Sequence, residues 1–238
     1  MKRFWSLLPL LLAALLAACD MPVSEEEGMR PPPAALRMSP EQSARAFAEV
    51  VKAVEPVAEA ECRARLKGRR CDFRILIDPN RNAPPNAFQG LDASGRPVIT
   101  FTRTLIARAG SPDELAFVLS HETAHHILDH LARQHANARA GAAVFGSLAT
   151  LNGGSSSDVA NAQQLGAAMG ARRYSREFEL EADQLGTIIA YRAGYNPLLG
   201  AKFFNRIPDP GDSFLGTHPP NADRIRVVRQ TSASLGLN

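Results

Sequence analysis

The sequence predicts an α+β domain, mainly helical, with one small β-sheet. Three observations carry that prediction. Ser39-Pro40-Glu41-Gln42 and Ser111-Pro112-Asp113-Glu114 open helices in the same way: serine as N-cap, proline at the first helical position, and an acid or amide three residues after the cap. Short runs rich in β-branched and aromatic residues cluster between Phe73 and Thr102. Beyond Ser111 the patterning is helical almost to the end of the chain.

Taken in order, the first helix runs from Pro40 towards Leu66, with Pro56 threatening a kink. Arg63, Arg65, Lys67, Arg69 and Arg70 crowd its far end, where cations suit the helix dipole without any nucleic-acid partner. Phe73 to Ile77 reads as a buried strand. Asn86 to Gln89 and Arg96 to Thr102 read as two more, joined around the hairpin signal Asp92-Ala93-Ser94-Gly95. The edge of this sheet suits an extended peptide backbone, and equally suits a plain structural hairpin. The helix opened at Ser111 continues in pattern through Leu131. Residues 136–170 are rich in Ala, Gly and Ser and read as two helices joined at 152–157, either a movable cover or a simple hairpin. A helix from Arg176 to Arg192 follows, with Gly194 as its C′ residue. Asn196-Pro197 opens a short helix, and Pro219-Pro220 precedes the last one.

With 45% hydrophobic and 21% charged residues, the 238-residue chain is not collagenous, coiled-coil or wholly disordered. Met1-Lys2-Arg3 followed by an apolar stretch to Leu16 reads as a secretory signal, too short to span a membrane. Leu16-Ala17-Ala18-Cys19 resembles a bacterial lipobox, which implies cleavage after residue 18 and lipidation of Cys19. Asp20 then leans towards inner-membrane retention. The signal holds two cations and no acid, so the net charge of the remainder falls from +3 to +1, and the case for an anionic partner weakens. Residues 19–38, with Glu25-Glu26-Glu27 and Pro31-Pro32-Pro33, read as a solvated tether to a domain at 39–238. Cys62 and Cys71, nine positions apart, suit a disulfide in an oxidising periplasm.

Four of the six histidines fall between His121 and His130. His121-Glu122-Thr123-Ala124-His125 sets two imidazoles one helical turn and ~40° apart, able to converge on one zinc ion at ~2.0–2.1 Å. Glu122 projects ~100° away, placed to flank the metal and move protons to and from its bound water. Thr123 stands where such helices usually carry a bulkier aliphatic residue. A third ligand must come from elsewhere. Glu177, Glu179 and Glu181 all compete, but only Glu179 has an acid, Asp183, one turn later to orient a zinc histidine. His126, at ~140° from His121 on the helix, and His130, near ~180°, cannot join the same ion and read as packing or surface residues.

His121-Glu122-x-x-His125, Ser175-Arg176 with Glu179-x-x-Ala182-Asp183, and Thr217-His218-Pro219 occur in the order and approximate spacing of the HtpX-like and CAAX-prenyl-protease-like zinc metallopeptidases. Asn86-Ala87-Phe88 and Ala193-Gly194-Tyr195-Asn196-Pro197 follow the same family's habits. Across about residues 40 to 230 the chain resembles the soluble bacterial branch, the LoiP- and BepA-like peptidases, and the family's multiple membrane spans are missing from the sequence. The resemblance implies a gluzincin-type fold, one zinc ion per chain on His121, His125 and Glu179, Asp183 behind a ligand, and Glu122 as general base and acid. It brings His218 to the metal, either stabilising an oxyanion or latching the fourth zinc position. Arg224 suits oxyanion support or a structural salt bridge. The expected activity is a periplasmic, lipid-anchored metalloendopeptidase acting on unfolded or misassembled envelope proteins. The rival expectation is a zinc-containing chaperone or assembly factor that hydrolyses nothing.

Overall fold

The computed structural model describes residues 29–34, 38–173, 175–207 and 219–237. Helix α1 (Pro40–Arg65) opens on a complete capping box: Ser39 Oγ accepts from Gln42 N–H, and the Gln42 side chain accepts from Ser39 N–H. Phe47, Val50, Val54, Ala58 and Cys62 recur every three or four residues and form its buried face. The helix runs through Pro56 without a break. Pro56 lies on the exposed side, where the carbonyl left without a partner meets water.

Cys62 is joined to Cys71 by a disulfide, with Cα atoms 5.6 Å apart. Arg63, Arg65, Arg69 and Arg70 around this bridge pair with Glu59, Glu61, Asp129 and Asp72, so the basic cluster is matched locally by acids.

Strands β1 (Arg74–Ile77), β2 (Ala87–Leu91) and β3 (Pro97–Phe101) form one sheet in the order β1-β3-β2, with β1 parallel and β2 antiparallel to β3. The turn between β2 and β3 is the expected one. Gly95 takes a φ of 76°, and the Asp92 carboxylate accepts from the N–H groups of Ser94 and Arg96. A short helix α2 (Arg103–Arg108), capped by Thr102, follows β3 at once. Six residues are too few to show a helical period, so the sequence does not mark it.

Helix α3 (Pro112–Ile127) is the centre of the fold, packed by α1, α6, the sheet and the segment after α6, and buried along most of its length. It ends at Ile127, not at Leu131 as its patterning predicts. Asp129 adopts a left-handed conformation (φ 56°, ψ 33°), and α4 (His130–Leu151) starts in a new direction. No glycine or proline marks this elbow; the Asp129 carboxylate is instead held by Arg69 from the disulfide loop. Helices α4 and α5 (Ser156–Arg173) form an antiparallel hairpin. A Cβ at Gly141 would stand 2.0 Å from the Gly166 carbonyl oxygen, so only glycine permits this approach.

Helix α6 (Ser175–Arg192) ends with Gly194 at φ 88° and Tyr195 N–H donating to the Ala190 carbonyl, a Schellman closure. Asn196 caps the short α7 (Pro197–Gly200), a 3-10 turn covers Ala201–Asn205, and α8 (Asn221–Ser234) returns to pack on α6.

The bridge closes a short loop, and loop-closure entropy sets its contribution at about 2–3 kcal/mol. Replacing Cys62 and Cys71 by serine should lower the urea-unfolding free energy by that amount. An unchanged midpoint would show that the loop is ordered without the bridge.

Candidate metal centre

The centre is built where α6 lies directly on α3. At the crossing, a Cβ on Gly186 would sit 3.0 Å from both Cα and N of His121, so the missing side chain lets the two backbones approach. That approach brings the Glu179 carboxylate between two imidazoles. His121 Nε2 and His125 Nε2 are 3.0 Å apart, and Glu179 stands 3.4 Å from each. Ligands at ~2.0–2.1 Å around a tetrahedral ion are separated by about 3.3 Å, so the spacing of these donors fits zinc. Among the described residues no other group of three His, Cys, Asp or Glu side chains offers a comparable cluster. The rivals are placed elsewhere: Glu177 is exposed, and Glu181 accepts from His130 and Arg133.

Asp183, one turn beyond Glu179, is fully buried. One oxygen lies 2.9 Å from His121 Nδ1, which fixes the proton on that nitrogen and leaves Nε2 free for a metal. Arg224 grips both oxygens of the carboxylate, Nε donating to Oδ2 and Nη2 to the oxygen that faces His121, at 2.7 Å each. Arg224 also reaches Glu179 at 3.3 Å and lies over the Phe204 ring. Its guanidinium therefore takes part in a buried ion pair, and it also lines the cleft over the centre. Burial opposes the Asp183 charge, but Arg224 and His121 hold its carboxyl below the ordinary aspartate range.

The two histidines of the candidate site diverge. Burial works against a charge on His121, yet acceptance by Asp183 and Glu179 pushes it up to about 10. Burial, with His121 beside it, pushes His125 down to about 3. Without a metal, the positive charge among the three donors therefore rests on His121, between Asp183 and Glu179. Thr123 is fully buried, and its hydroxyl donates to the Ser120 carbonyl, so it behaves as a small apolar filler.

The neighbouring histidines separate. His126 faces away, with Nε2 2.9 Å from the Arg70 carbonyl and its ring edge-on to Phe73. His130 is a correction. The ~180° placement assumed an unbroken helix, whereas the elbow at Asp129 turns His130 back, so that its Nδ1 lies 2.9 Å from His125 Nδ1. It is a buried neighbour of the metal site, not a bystander.

A cleft of about 820 Å³ opens over the centre. Glu122 lines it beside His121, His125 and Glu179, and β2 lines its rim through Ala87, Phe88 and Gln89. Among the described residues of the α4–α5 hairpin, the first turn of α4 borders the cleft, through His130, Leu131 and Gln134. His218 and Cys19, with the signal and most of the tether, lie outside the described residues.

Residues 44–232 match the sequence model of peptidase family M48. The chain belongs to this family. M48 peptidases are zinc-dependent, in keeping with the three donors, and the HtpX- and BepA-like resemblance falls within the family. A Vibrio cholerae protein named "Putative beta-barrel assembly-enhancing protease" is 34% identical over 139 residues, 53% of this chain and 29% of that one. The mitochondrial metalloendopeptidase OMA1 of Schizosaccharomyces pombe is 32% identical over 169 residues, 67% of this chain and 46% of that one. The chain spans less than half the length of these curated relatives.

In this M48 domain, zinc must displace the proton that His121 holds in the metal-free state. With the His121 pKa raised, that proton is present at neutral pH and is lost only towards the alkaline side. Zinc affinity, measured by chelator competition, should therefore rise about tenfold per pH unit between about pH 6 and 9. A flat profile would contradict the shift.

Proposed function

We propose that the chain is an exported, membrane-anchored zinc metalloendopeptidase of the bacterial envelope. The observation that carries this reading is the convergence of His121, His125 and Glu179 at zinc spacing in a cleft that also holds Glu122. Bound zinc supplies a Lewis acid that lowers the pKa of a water towards ~7. The rest falls to side chains. Glu122, half-buried in the cleft, takes the proton from the attacking water and delivers it to the leaving amine. Asp183, backed by Arg224, keeps the His121 ring oriented throughout.

Strand β2 is the edge of the sheet nearest the cleft, and its outer backbone groups can pair with an extended peptide, aligning a scissile bond over the zinc site. This supports a protein substrate in extended, unfolded form. The lipobox-like Leu16-Ala17-Ala18-Cys19 supports periplasmic anchoring through a tether shorter than the expected 19–38, since Met29 is already buried in the core and its carbonyl accepts from Arg108. The name of the Vibrio cholerae relative supports misassembled envelope proteins as the substrates, and a role in their quality control.

Glu122→Gln should keep zinc while reducing cleavage of unfolded casein by about 10²–10⁴-fold, and chelation of the wild type should have the same effect reversibly. Cleavage that survives both treatments would rule out the zinc mechanism. An envelope phenotype fully rescued by the Glu122→Gln protein would favour a non-hydrolytic assembly role.

A further inference from the structure

His121 has its orienting partner in Asp183. The corresponding group for His125 is supplied by the elbow between α3 and α4. His125 turns Nε2 towards His121 and Glu179, and its opposite nitrogen, Nδ1, meets His130 Nδ1 at 2.9 Å. His130 Nε2 in turn lies 3.0 Å from Glu181 Oε2, and Glu181 is held by Arg133 through Nη1 at 2.6 Å and Nη2 at 3.3 Å. The His130 ring is buried and stacks on Phe178, with centroids 4.6 Å apart and planes 11° apart, while Arg133 covers the same phenyl ring.

The hydrogen-bond logic allows one assignment. A ligating Nε2 on His125 carries no proton, so a neutral ring carries it on Nδ1 and must donate. The group facing it is His130 Nδ1, which must then accept. The His130 proton therefore sits on Nε2 and is donated to Glu181, whose carboxylate can only accept. Every nitrogen in the chain has one role, and none conflicts with its neighbour.

We infer that His130 is a positioning residue that fixes the tautomer and ring plane of His125, with Glu181 and Arg133 completing a relay behind the second zinc ligand. Helix α6 then serves the centre three times: Glu179 as donor, Asp183 behind His121, and Glu181 behind His125 through His130. This rests on the reading of His121, His125 and Glu179 as zinc ligands. It assigns to Glu181 the role of acceptor rather than that of rival ligand.

Zinc affinity at one fixed pH, by competition with a chromophoric chelator, tests it on the full chain. His130→Phe keeps the stack on Phe178 but removes the acceptor, and should weaken zinc binding by about 10–100-fold. His130→Asn places an amide oxygen where Nδ1 stood and should recover most of that loss. Glu181→Gln, which still accepts, should cost less than His130→Phe. A second readout needs no variant: imidazole ¹⁵N NMR of the zinc-loaded wild type should show His125 protonated at Nδ1 and His130 protonated at Nε2 alone. Wild-type affinity in His130→Phe, or a proton on His130 Nδ1, would overturn the relay while leaving the zinc site standing. A wild type that binds no zinc would overturn the site and the relay together.

Discussion

The buried carboxylate of Asp183 is the constraint on which the site depends. A carboxylate removed from water is tolerated only when its charge and lone pairs are fully matched, and removing one partner of such a group costs about 3–5 kcal/mol. Asp183 is matched from two elements at once, by His121 on α3 and Arg224 on α8. The same contact that satisfies the acid therefore locks three helices together and aims His121 Nε2 into the cleft. Structural need and ligand orientation are served by one set of hydrogen bonds.

The approach of α6 to α3 follows from residue size as much as from charge. Gly186 removes the side chain that would hold the helices apart, and Ala182, fully buried, keeps the contact narrow on the same face. Glu179 then reaches both imidazoles. Filling the Gly186 site would press on the His121 backbone itself, which has no free rotamer to yield. The packing of small residues is thus part of the chemistry: it sets how far the third donor stands from the other two.

Much of this was legible in the sequence, for definite reasons. Cap chemistry at Ser39 and Ser111 fixed where α1 and α3 begin, and Gly95 and Gly194 marked turns that require positive φ. The four-residue spacings His121–His125 and Glu179–Asp183 put each pair on one helical face, and the structure brings the two faces together. What escaped were features decided by tertiary contact. Asp129 breaks a helix with no local signal, held by Arg69 from a loop sixty residues earlier, and the extrapolated angle for His130 fails with it. The choice of Arg224 for Asp183 depends on how α8 returns, which no spacing encodes. Pro56 is tolerated because its face of α1 meets solvent, a matter of burial and not of propensity.

The central claim is that two imidazoles and one carboxylate, gathered by α3 and α6, form a zinc site. X-ray absorption at the zinc edge on the zinc-loaded full chain tests it most directly. The account predicts only nitrogen and oxygen neighbours at about 2.0–2.1 Å, with imidazole multiple scattering that falls by one ring in His125→Ala. A sulfur neighbour at about 2.3 Å, or imidazole scattering unchanged by that substitution, would contradict it.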